Sequence, residues 1–233
     1  MDKYEIIRRI ECFAPLETAE KWDCSGWLVE TKKSDVKKVM LALTVTDDIY
    51  EQAKSVDCDM IISHHPLFYV PVKYRDIDIY CSHTNMDLAN GGTTDTLIEV
   101  LKNKGLGIYG ISKEGFVRYV NTEITEDNLL KILSVISKNL RYVNIKSKKN
   151  FQKIAFCAGS GSEFIDEAYK NGADAYITGD LKFHTALDSP IPVYDIGHFE
   201  SEIQVLEVFK RLINNDSNVI FAKEESPFMG FVV

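Results

Sequence analysis

The chain contains two copies of one segment, and this internal repeat restricts its fold more than any other feature of the sequence. Residues 36–69 and 151–184 align without a gap, with residues of the same kind at many corresponding positions. In each copy an apolar segment, an amphipathic segment and a second apolar segment follow one another, which predicts a strand, a helix and a strand. After a shift of one residue in the alignment, the similarity resumes between residues 77–83 and 191–197.

An accidental likeness is the alternative, because any two strand–helix–strand units share such a pattern. The match continues without a gap through the helix and past the second strand, and this favours a true repeat. Short, wholly apolar strands alternating with helices are typical of sheets that are covered on both faces. We therefore predict an α/β fold of two interlinked, internally repeated lobes with a cleft between them. The first lobe comprises residues 1–112 and 191–233, and the second comprises residues 113–190.

Further elements are expected around the two copies. The sequence predicts helices near four segments, residues 2–12, 91–103, 125–140 and 199–213. Thr125 or Asp127 could cap the third helix and Asn90 the second, while Asn171-Gly172 is a typical helix end. Strands near residues 116–122 and 218–222 would extend the sheets.

Charge, cysteine usage and hydropathy exclude several classes of protein. The 233-residue chain has a formal net charge of −8, which argues against non-specific nucleic-acid binding because that needs a basic face. Its five cysteines form no C-x-x-C pair, and their number is odd, which favours a reducing, cytoplasmic compartment. The first residues have no apolar segment like that of a signal peptide, and no stretch is apolar enough to span a membrane.

Polar residues gather where three predicted strands end. In open parallel sheets, ligands bind beyond the carboxyl ends of the strands. Strand MIIS leads into two histidines, IYCS leads into a segment with an aspartate, and VYDIG leads into a histidine and a glutamate four residues later. The candidate ligands are His64, His65, Asp87, His198 and Glu202.

Each candidate also has a simpler interpretation. A histidine pair before a proline is common at surface turns, and adjacent imidazoles share one site only if the chain turns there or two ions are bound. His198 and Glu202 would stack on one helix face, but an exposed pair has the same spacing. Asp87 alone is better explained as a capping or turn residue, and its candidacy depends on the neighbouring strand ends.

The candidate ligands favour a particular kind of metal site. Histidine and carboxylate ligands suit zinc, iron, manganese or nickel, and the absence of cysteine ligands argues against a purely structural zinc. Five side chains cannot saturate two divalent ions, so water would complete the shells and could become a nucleophile. His83 and His184 are candidate acid–base residues, although either could be structural. In the second copy Gly179 and Asp180 replace the histidine pair, so only one lobe kept it.

Five motifs resemble one known family. Residues 22–29, 62–68, 83–87, 172–184 and 197–202 are similar, in order, to motifs of the GTP cyclohydrolase 1 type 2 homolog family, also called the Ngg-interacting-factor-three-like family. The resemblance implies two interlinked lobes, a dinuclear metal site in the cleft and a toroidal homohexamer. By position it assigns the metal to the same five residues. Cys24 and Trp27 depart from the usual asparagine and leucine, and the chain is too short for the domain that some members carry between the lobes.

Three functions follow from these observations. The first is a metal-dependent hydrolase acting on a nucleotide, and the family label suggests that it opens the purine ring of GTP with release of formate. The chain has no Walker-type phosphate loop, because residues 159–164 lack the lysine. The second function is a non-catalytic metal-binding regulatory or scaffold protein, and the third is metal storage or exchange.

Overall fold

The computed structural model describes residues 1–213 and 218–229, and the chain divides into two compact units. The first unit contains residues 1–92 and 205–225, and the second contains residues 93–204 with 226–229. The expected lobes were residues 1–112 with 191–233 and residues 113–190, so the boundaries differ. Residues 214–217 and 230–233 of the first expected lobe lie outside the described residues. The α/β fold class itself is confirmed, whereas a metal-binding cleft stays a prediction.

The first unit is built on a five-stranded sheet. Its strands are β1 (Gly26–Val29), β2 (Lys38–Ala42), β3 (Met60–Ser63), β4 (Asp78–Cys81) and β11 (Asn218–Phe221). Their order in the sheet is β1-β4-β3-β2-β11. Strands β2, β3, β4 and β11 are parallel, and β1 pairs antiparallel with β4 at the edge. The helices of this unit are α1 (Lys3–Phe13), α2 (Asp47–Ser55), α3 (Thr84–Leu88) and α9 (Val205–Ile213).

The second unit is built on a six-stranded sheet. Its strands are β5 (Gly110–Glu114), β6 (Val117–Thr125), β7 (Arg141–Val143), β8 (Asn150–Phe156), β9 (Ala175–Thr178) and β10 (Val193–Asp195). Their order in the sheet is β5-β6-β8-β9-β10-β7. The central strands β8, β9 and β10 are parallel, and the other pairings are antiparallel. The helices are α4 (Thr93–Asn103), α5 (Glu126–Ile136), α6 (Ile165–Lys170), α7 (Phe183–Asp188) and α8 (His198–Glu202).

Two features explain why the unit boundaries differ from the expected ones. Helix α4 buries Leu97, Ile98 and Leu101 in the apolar core beneath β6 and β8, so it belongs to the second unit. Strand β10 pairs with β9 in the second sheet and therefore cannot belong to the first unit. The segment expected to be one helix at 199–213 is two helices, α8 and α9, and the chain passes from one unit to the other between them.

The repeat is confirmed at the level of individual hydrogen bonds. Asp59 and Asp174 occupy matching positions before β3 and β9, and each carboxylate is only partly exposed. One carboxylate oxygen accepts hydrogen bonds from two successive backbone N–H groups: Lys37 (2.7 Å) and Lys38 (3.1 Å) for Asp59, and Gln152 (2.7 Å) and Lys153 (3.0 Å) for Asp174. The other oxygen pairs with a lysine, Lys33 or Lys148. Both copies therefore use one aspartate to fix the backbone of the neighbouring strand at the same position of the repeat.

These two aspartates predict an acid-sensitive stability. Burial raises the pKa of each carboxyl, but the lysine and the backbone N–H groups lower it more, so the net pKa lies below the ordinary value. Their stabilisation is therefore fully present above the unfolded-state pKa of about 3.9 and is lost as the pH falls through the folded-state pKa. We expect Asp59→Asn or Asp174→Asn to cost about 1–2 kcal/mol at neutral pH and less near pH 3.

Urea unfolding of the two variants over this pH range tests the prediction. The exposed Asp48→Asn is the control, with an expected change within about 0.5 kcal/mol. A destabilisation by Asp59→Asn that is independent of pH would contradict it.

The sequence also led to predictions about the cysteines and about membrane-spanning segments. All five cysteines are among the described residues, and all are free thiols. No helix in the described part of the chain has the length and apolar character needed to cross a membrane.

Candidate metal centre

The tandem histidines lie where the chain leaves β3. The backbone N–H groups of His64 and His65 donate to two successive carbonyls, of Ala42 (3.2 Å) and Leu43 (2.8 Å). In a regular strand only alternate residues face the same neighbour, so the chain departs from strand geometry at this point. The two imidazoles consequently lie beside each other, with ring centroids 5.2 Å apart. The turn needed for both histidines to serve one site is therefore present.

A third imidazole, that of His83, lies with the first two. Its ring centroid is 5.2 Å from that of His64 and 5.7 Å from that of His65. One nitrogen from each of the three histidines can be chosen so that all three lie within 4.8 Å of one another. The first unit therefore contains a compact group of three imidazoles.

All three imidazoles are held through Nδ1. Their partners are the Ser82 carbonyl for His64 (3.1 Å), the Thr44 hydroxyl for His65 (2.6 Å) and the Asp23 carboxylate for His83 (3.1 Å). Fixing one ring nitrogen sets both the orientation of the ring and the nitrogen that remains for a ligand. The arrangement therefore leaves Nε2 of each histidine as the nitrogen that can bind an ion.

Asp87 on α3 adds a carboxylate to this group. Its Oδ1 lies 3.3 Å from Nε2 of His64, whose side chain is fully buried. When Nδ1 of a neutral His64 donates to the Ser82 carbonyl, Nε2 presents a lone pair towards the carboxylate. Two acceptor atoms this close need a proton or a cation between them, because their lone pairs otherwise repel. Imidazole and carboxylate donors fit a borderline divalent ion at this place.

The second unit has its own imidazole–carboxylate pair on α8. Nε2 of His198 lies 2.9 Å from a carboxylate oxygen of Glu202, which is almost fully buried. Nδ1 of His198 lies 2.7 Å from Asp180, so this imidazole is also held through Nδ1. Gly197, at φ +87°, lets the chain turn directly into the helix. The predicted i, i+4 pair is therefore present on a helix that begins at His198.

The electrostatics of this pair favour a positive charge. Burial lowers the pKa of His198, but the carboxylates of Glu202 and Asp180 raise it more, to about 9. Because the two carboxylates stabilise a positive charge at the His198 imidazole, they would also stabilise a cation bound there. The donors thus suit a divalent ion, which would replace the proton on Nε2.

A glycine leaves room for the glutamate. A Cβ on Gly159 would lie 2.0 Å from Oε1 of Glu202 and 3.6 Å from Nε2 of His198. Gly159 is also at φ +67°, where other residues are strained, and its N–H donates to the Ser201 hydroxyl (2.9 Å). Any side chain at this position would therefore displace Glu202.

We expect Gly159→Ala to weaken Zn²⁺ binding by about 10–100-fold, because the methyl group displaces the Glu202 carboxylate. Isothermal calorimetry with Zn²⁺ measures the change. Gly172→Ala is the matched control, since Gly172 is at φ +81° but has no atom within 4 Å of its Cβ position. Equal effects of the two substitutions would show that backbone strain, and not the contact with Glu202, is responsible.

His184 differs from the other four histidines. It lies exposed on α7, where its ring contacts that of Phe183, and it is absent from the groups of candidate metal donors found among the described residues. Its catalytic role stays a prediction, as does that of His83.

Sequence reasoning missed three residues that hold the imidazoles. Asp23 lies in the motif at residues 22–29, but nothing in the sequence relates it to His83. Thr44 lies within the first apolar segment of the first copy, residues 39–45, and nothing in the sequence relates it to His65. Asp180 offered a signal, since it aligns with His65, a candidate ligand, and it orients His198 in the second unit.

Comparison with known proteins covers nearly the whole chain. A family model described as Duf34/NIF3 (NGG1p interacting factor 3) matches residues 1–227. A "GTP cyclohydrolase 1 type 2 homolog" of Clostridium perfringens is 34% identical, with 96% of this chain and 97% of that protein covered. The "NIF3-like protein 1" of Drosophila melanogaster is 26% identical, with 94% and 85% covered.

Solved structures share the fold. Reduced HcgD from Methanocaldococcus jannaschii has a TM-score of 0.83 and 27% identity, with 96% of this chain and 98% of that chain covered. A protein called ybgI, described as of unknown function, has a TM-score of 0.85 and 23% identity, with 98% and 100% covered. The second likeness supports the fold alone.

Proposed function

The chain belongs to the Duf34/NIF3 family, and on that premise we propose that it is a dinuclear metal-dependent hydrolase acting on a nucleotide-like small molecule. The observation that carries the proposal is the group of three imidazoles in the first unit. Each is held through Nδ1, so that Nε2 is the nitrogen that can bind an ion or take part in proton transfer. Histidines with a structural role have no need to lie in a group of three. Metal-binding histidines, in contrast, are usually oriented by a hydrogen bond to the other ring nitrogen.

We propose that two divalent ions, of zinc, iron, manganese or nickel, are held by His64, His65, Asp87, His198 and Glu202. The imidazole–carboxylate pairs His64–Asp87 and His198–Glu202 support this set, because each combines the two donor types that these ions prefer. Neither pair saturates an ion by itself, so water and substrate would complete the coordination. Bound divalent ions supply Lewis acidity, which activates water and stabilises negative charge that develops on the substrate.

Other residues of the chain would orient the ligand imidazoles and transfer protons. Ser82, Thr44 and Asp180 keep the ligand imidazoles in place, so little reorganisation is needed when substrate binds. His83 lies beside the histidine pair with Nε2 left to take part in proton transfer. His184, exposed on α7, is the second candidate for this role.

A nucleotide-like substrate is supported by the names of the relatives. Several are called GTP cyclohydrolase 1 type 2 homologs, and ring opening of GTP with release of formate is the reaction that this name suggests. The chain carries a formal net charge of −8, so the charge of a phosphate group would have to be offset locally by the ions.

We further propose a cytoplasmic homohexamer, for which light scattering would give six times the mass of one chain.

Turnover tests the proposal. Protein loaded with Zn²⁺, Mn²⁺ or Fe²⁺ is offered GTP, GMP and other nucleotides, and the release of formate and phosphate is followed. Metal-dependent release of either product supports a hydrolase, and formate alone supports ring opening. Tight binding of metal without turnover of any nucleotide would overturn the hydrolase and favour a non-catalytic metal-binding protein.

A further inference from the structure

We propose that Asp23 is a positioning residue that fixes the tautomer and orientation of His83, so that the Nε2 lone pair of His83 faces the histidine pair. The contact joins two segments 60 residues apart in sequence. Only the catalytic consequence rests on the proposed function, because the tautomer itself does not depend on turnover.

The surroundings of Asp23 require it to be an acceptor. Its side chain is fully buried, and Oδ1 accepts hydrogen bonds from the Cys24 N–H (2.7 Å) and from Nδ1 of His83 (3.1 Å). Oδ2 accepts from the Ser25 hydroxyl (2.8 Å) and from the N–H (3.0 Å) and hydroxyl (2.5 Å) of Thr84. A buried carboxylate with this many donors remains ionised, since they lower its pKa more than burial raises it.

An ionised Asp23 dictates which nitrogen of His83 carries hydrogen. A carboxylate has no hydrogen to donate, so Nδ1 of His83 must be the donor in their 3.1 Å contact. The neutral imidazole then has its lone pair on Nε2. The same logic sets the tautomer of histidines that carboxylates hold in metal sites.

Ring contacts restrict the orientation of the His83 imidazole as well. The Trp22 indole meets it edge-on, with centroids 6.0 Å apart and an interplanar angle of 77°. The rings of His64 and His65 also meet it at steep angles, 68° and 82°. A flip of the ring would break the bond to Asp23 and turn Nδ1 towards the other imidazoles. The orientation is therefore determined by both the hydrogen bond and the packing.

The tautomer of His83 determines the direction of proton transfer in the proposed hydrolysis. A neutral His83 in this tautomer cannot donate from Nε2, but it can accept a proton there. When it removes a proton from water or a substrate hydroxyl, Nδ1 keeps its own hydrogen and the imidazolium charge lies beside the Asp23 carboxylate. We therefore assign His83 the role of proton acceptor and Asp23 that of the residue that orients it.

Nuclear magnetic resonance of the full chain tests the tautomer directly. The protein is labelled with ¹⁵N-histidine, and two-bond ¹H–¹⁵N spectra are recorded at about pH 8, where an ordinary histidine is neutral. The signals of His83 are identified by their absence in His83→Gln. We expect protonated Nδ1 and unprotonated Nε2, both without metal and with Zn²⁺. An Nε2-protonated His83 in the unmutated protein would overturn the inference, whether or not any variant folds.

Variants separate positioning from a merely structural role. We expect Asp23→Asn to convert part or all of His83 to the other tautomer and to leave the Zn²⁺ content unchanged. Thr84→Val is the matched control, because it removes a hydrogen bond to Oδ2 and should leave the tautomer unaltered. An unchanged tautomer in a folded Asp23→Asn would also contradict the proposal.

The catalytic consequence has its own readout. With a substrate that is turned over, we expect Asp23→Asn to lower kcat by about 10–100-fold and to change KM by less than about twofold. An unchanged kcat would remove His83 from proton transfer while leaving the tautomer assignment intact. If no nucleotide is turned over by the unmutated protein, the proposed hydrolase fails, and the tautomer measurement still decides the role of Asp23.

Discussion

Replacing His64 by asparagine is expected to remove at least one bound metal ion while leaving the protein folded. The amide nitrogen of asparagine can take the place of Nδ1 and donate to the Ser82 carbonyl, so the buried carbonyl keeps a partner. The substitution deletes Nε2, the atom that faces Asp87 at 3.3 Å. We expect the affinity for Zn²⁺ at this position to fall by at least about 100-fold, since a ligand is lost and not only its support.

Elemental analysis after loading and desalting, together with calorimetry, measures this loss. His184→Asn is the matched control: it removes an exposed imidazole that is absent from the donor groups, and the metal content should not change. A His64→Asn protein with an unaltered metal content would show that His64 is not a ligand. Loss of metal with undiminished turnover would instead show that hydrolysis does not depend on the ion at His64.

The positions of the candidate ligands were predictable because they follow from local sequence. A short apolar strand ends where polar residues begin, and the carboxyl ends of parallel strands are where ligands bind. This placed His64 and His65 after β3, and the i, i+4 spacing placed His198 and Glu202 on one helix. The orientation of the imidazoles was not predictable in this way. It depends on contacts such as Asp23–His83 and Thr44–His65, which link residues 60 and 21 positions apart.

The central strands were predictable for the same reason, and the edge strands were not. Strands β3 and β9 are buried along their whole length, so their apolar residues are continuous. Strand β5 is almost wholly exposed, and β7 has only three residues, so neither has an apolar pattern to recognise. Helix α5 ends at Ile136, earlier than expected, because Ser137 is extended with φ −126° and ψ 115°.

One departure from the family pattern has a structural explanation. Trp27 lies on β1, where its ring contacts that of Tyr80 edge-on at 5.4 Å and lies 5.0 Å from the Lys3 ammonium. Leucine, the residue that the family resemblance leads one to expect here, offers no aromatic face for a cation. Trp27 thus belongs to the surroundings of a buried lysine. The structure gives no comparable account of Cys24, whose N–H donates to Asp23 as that of any residue would.

This buried lysine gives the second large expected effect. Lys3 and Asp78 are each only 1% exposed, and the ammonium lies 3.2 Å from both carboxylate oxygens and 2.7 Å from the Thr31 carbonyl. Replacing Lys3 by methionine keeps the length of the side chain but leaves the buried Asp78 carboxylate without its counter-ion. We expect the free energy of unfolding to fall by about 3–5 kcal/mol.

The double variant Lys3→Met/Asp78→Asn separates loss of the ion pair from loss of packing. Asparagine carries no charge and can still accept the Thr31 N–H through its amide oxygen, so the double variant should regain a large part of the lost stability. Urea unfolding of the single and double variants gives the coupling energy, and Arg8→Met on the exposed face of α1 is the control for removing a cation from that helix. Additive effects of the two substitutions would mean that the ammonium and the carboxylate stabilise the first unit independently, through packing and not through their charge.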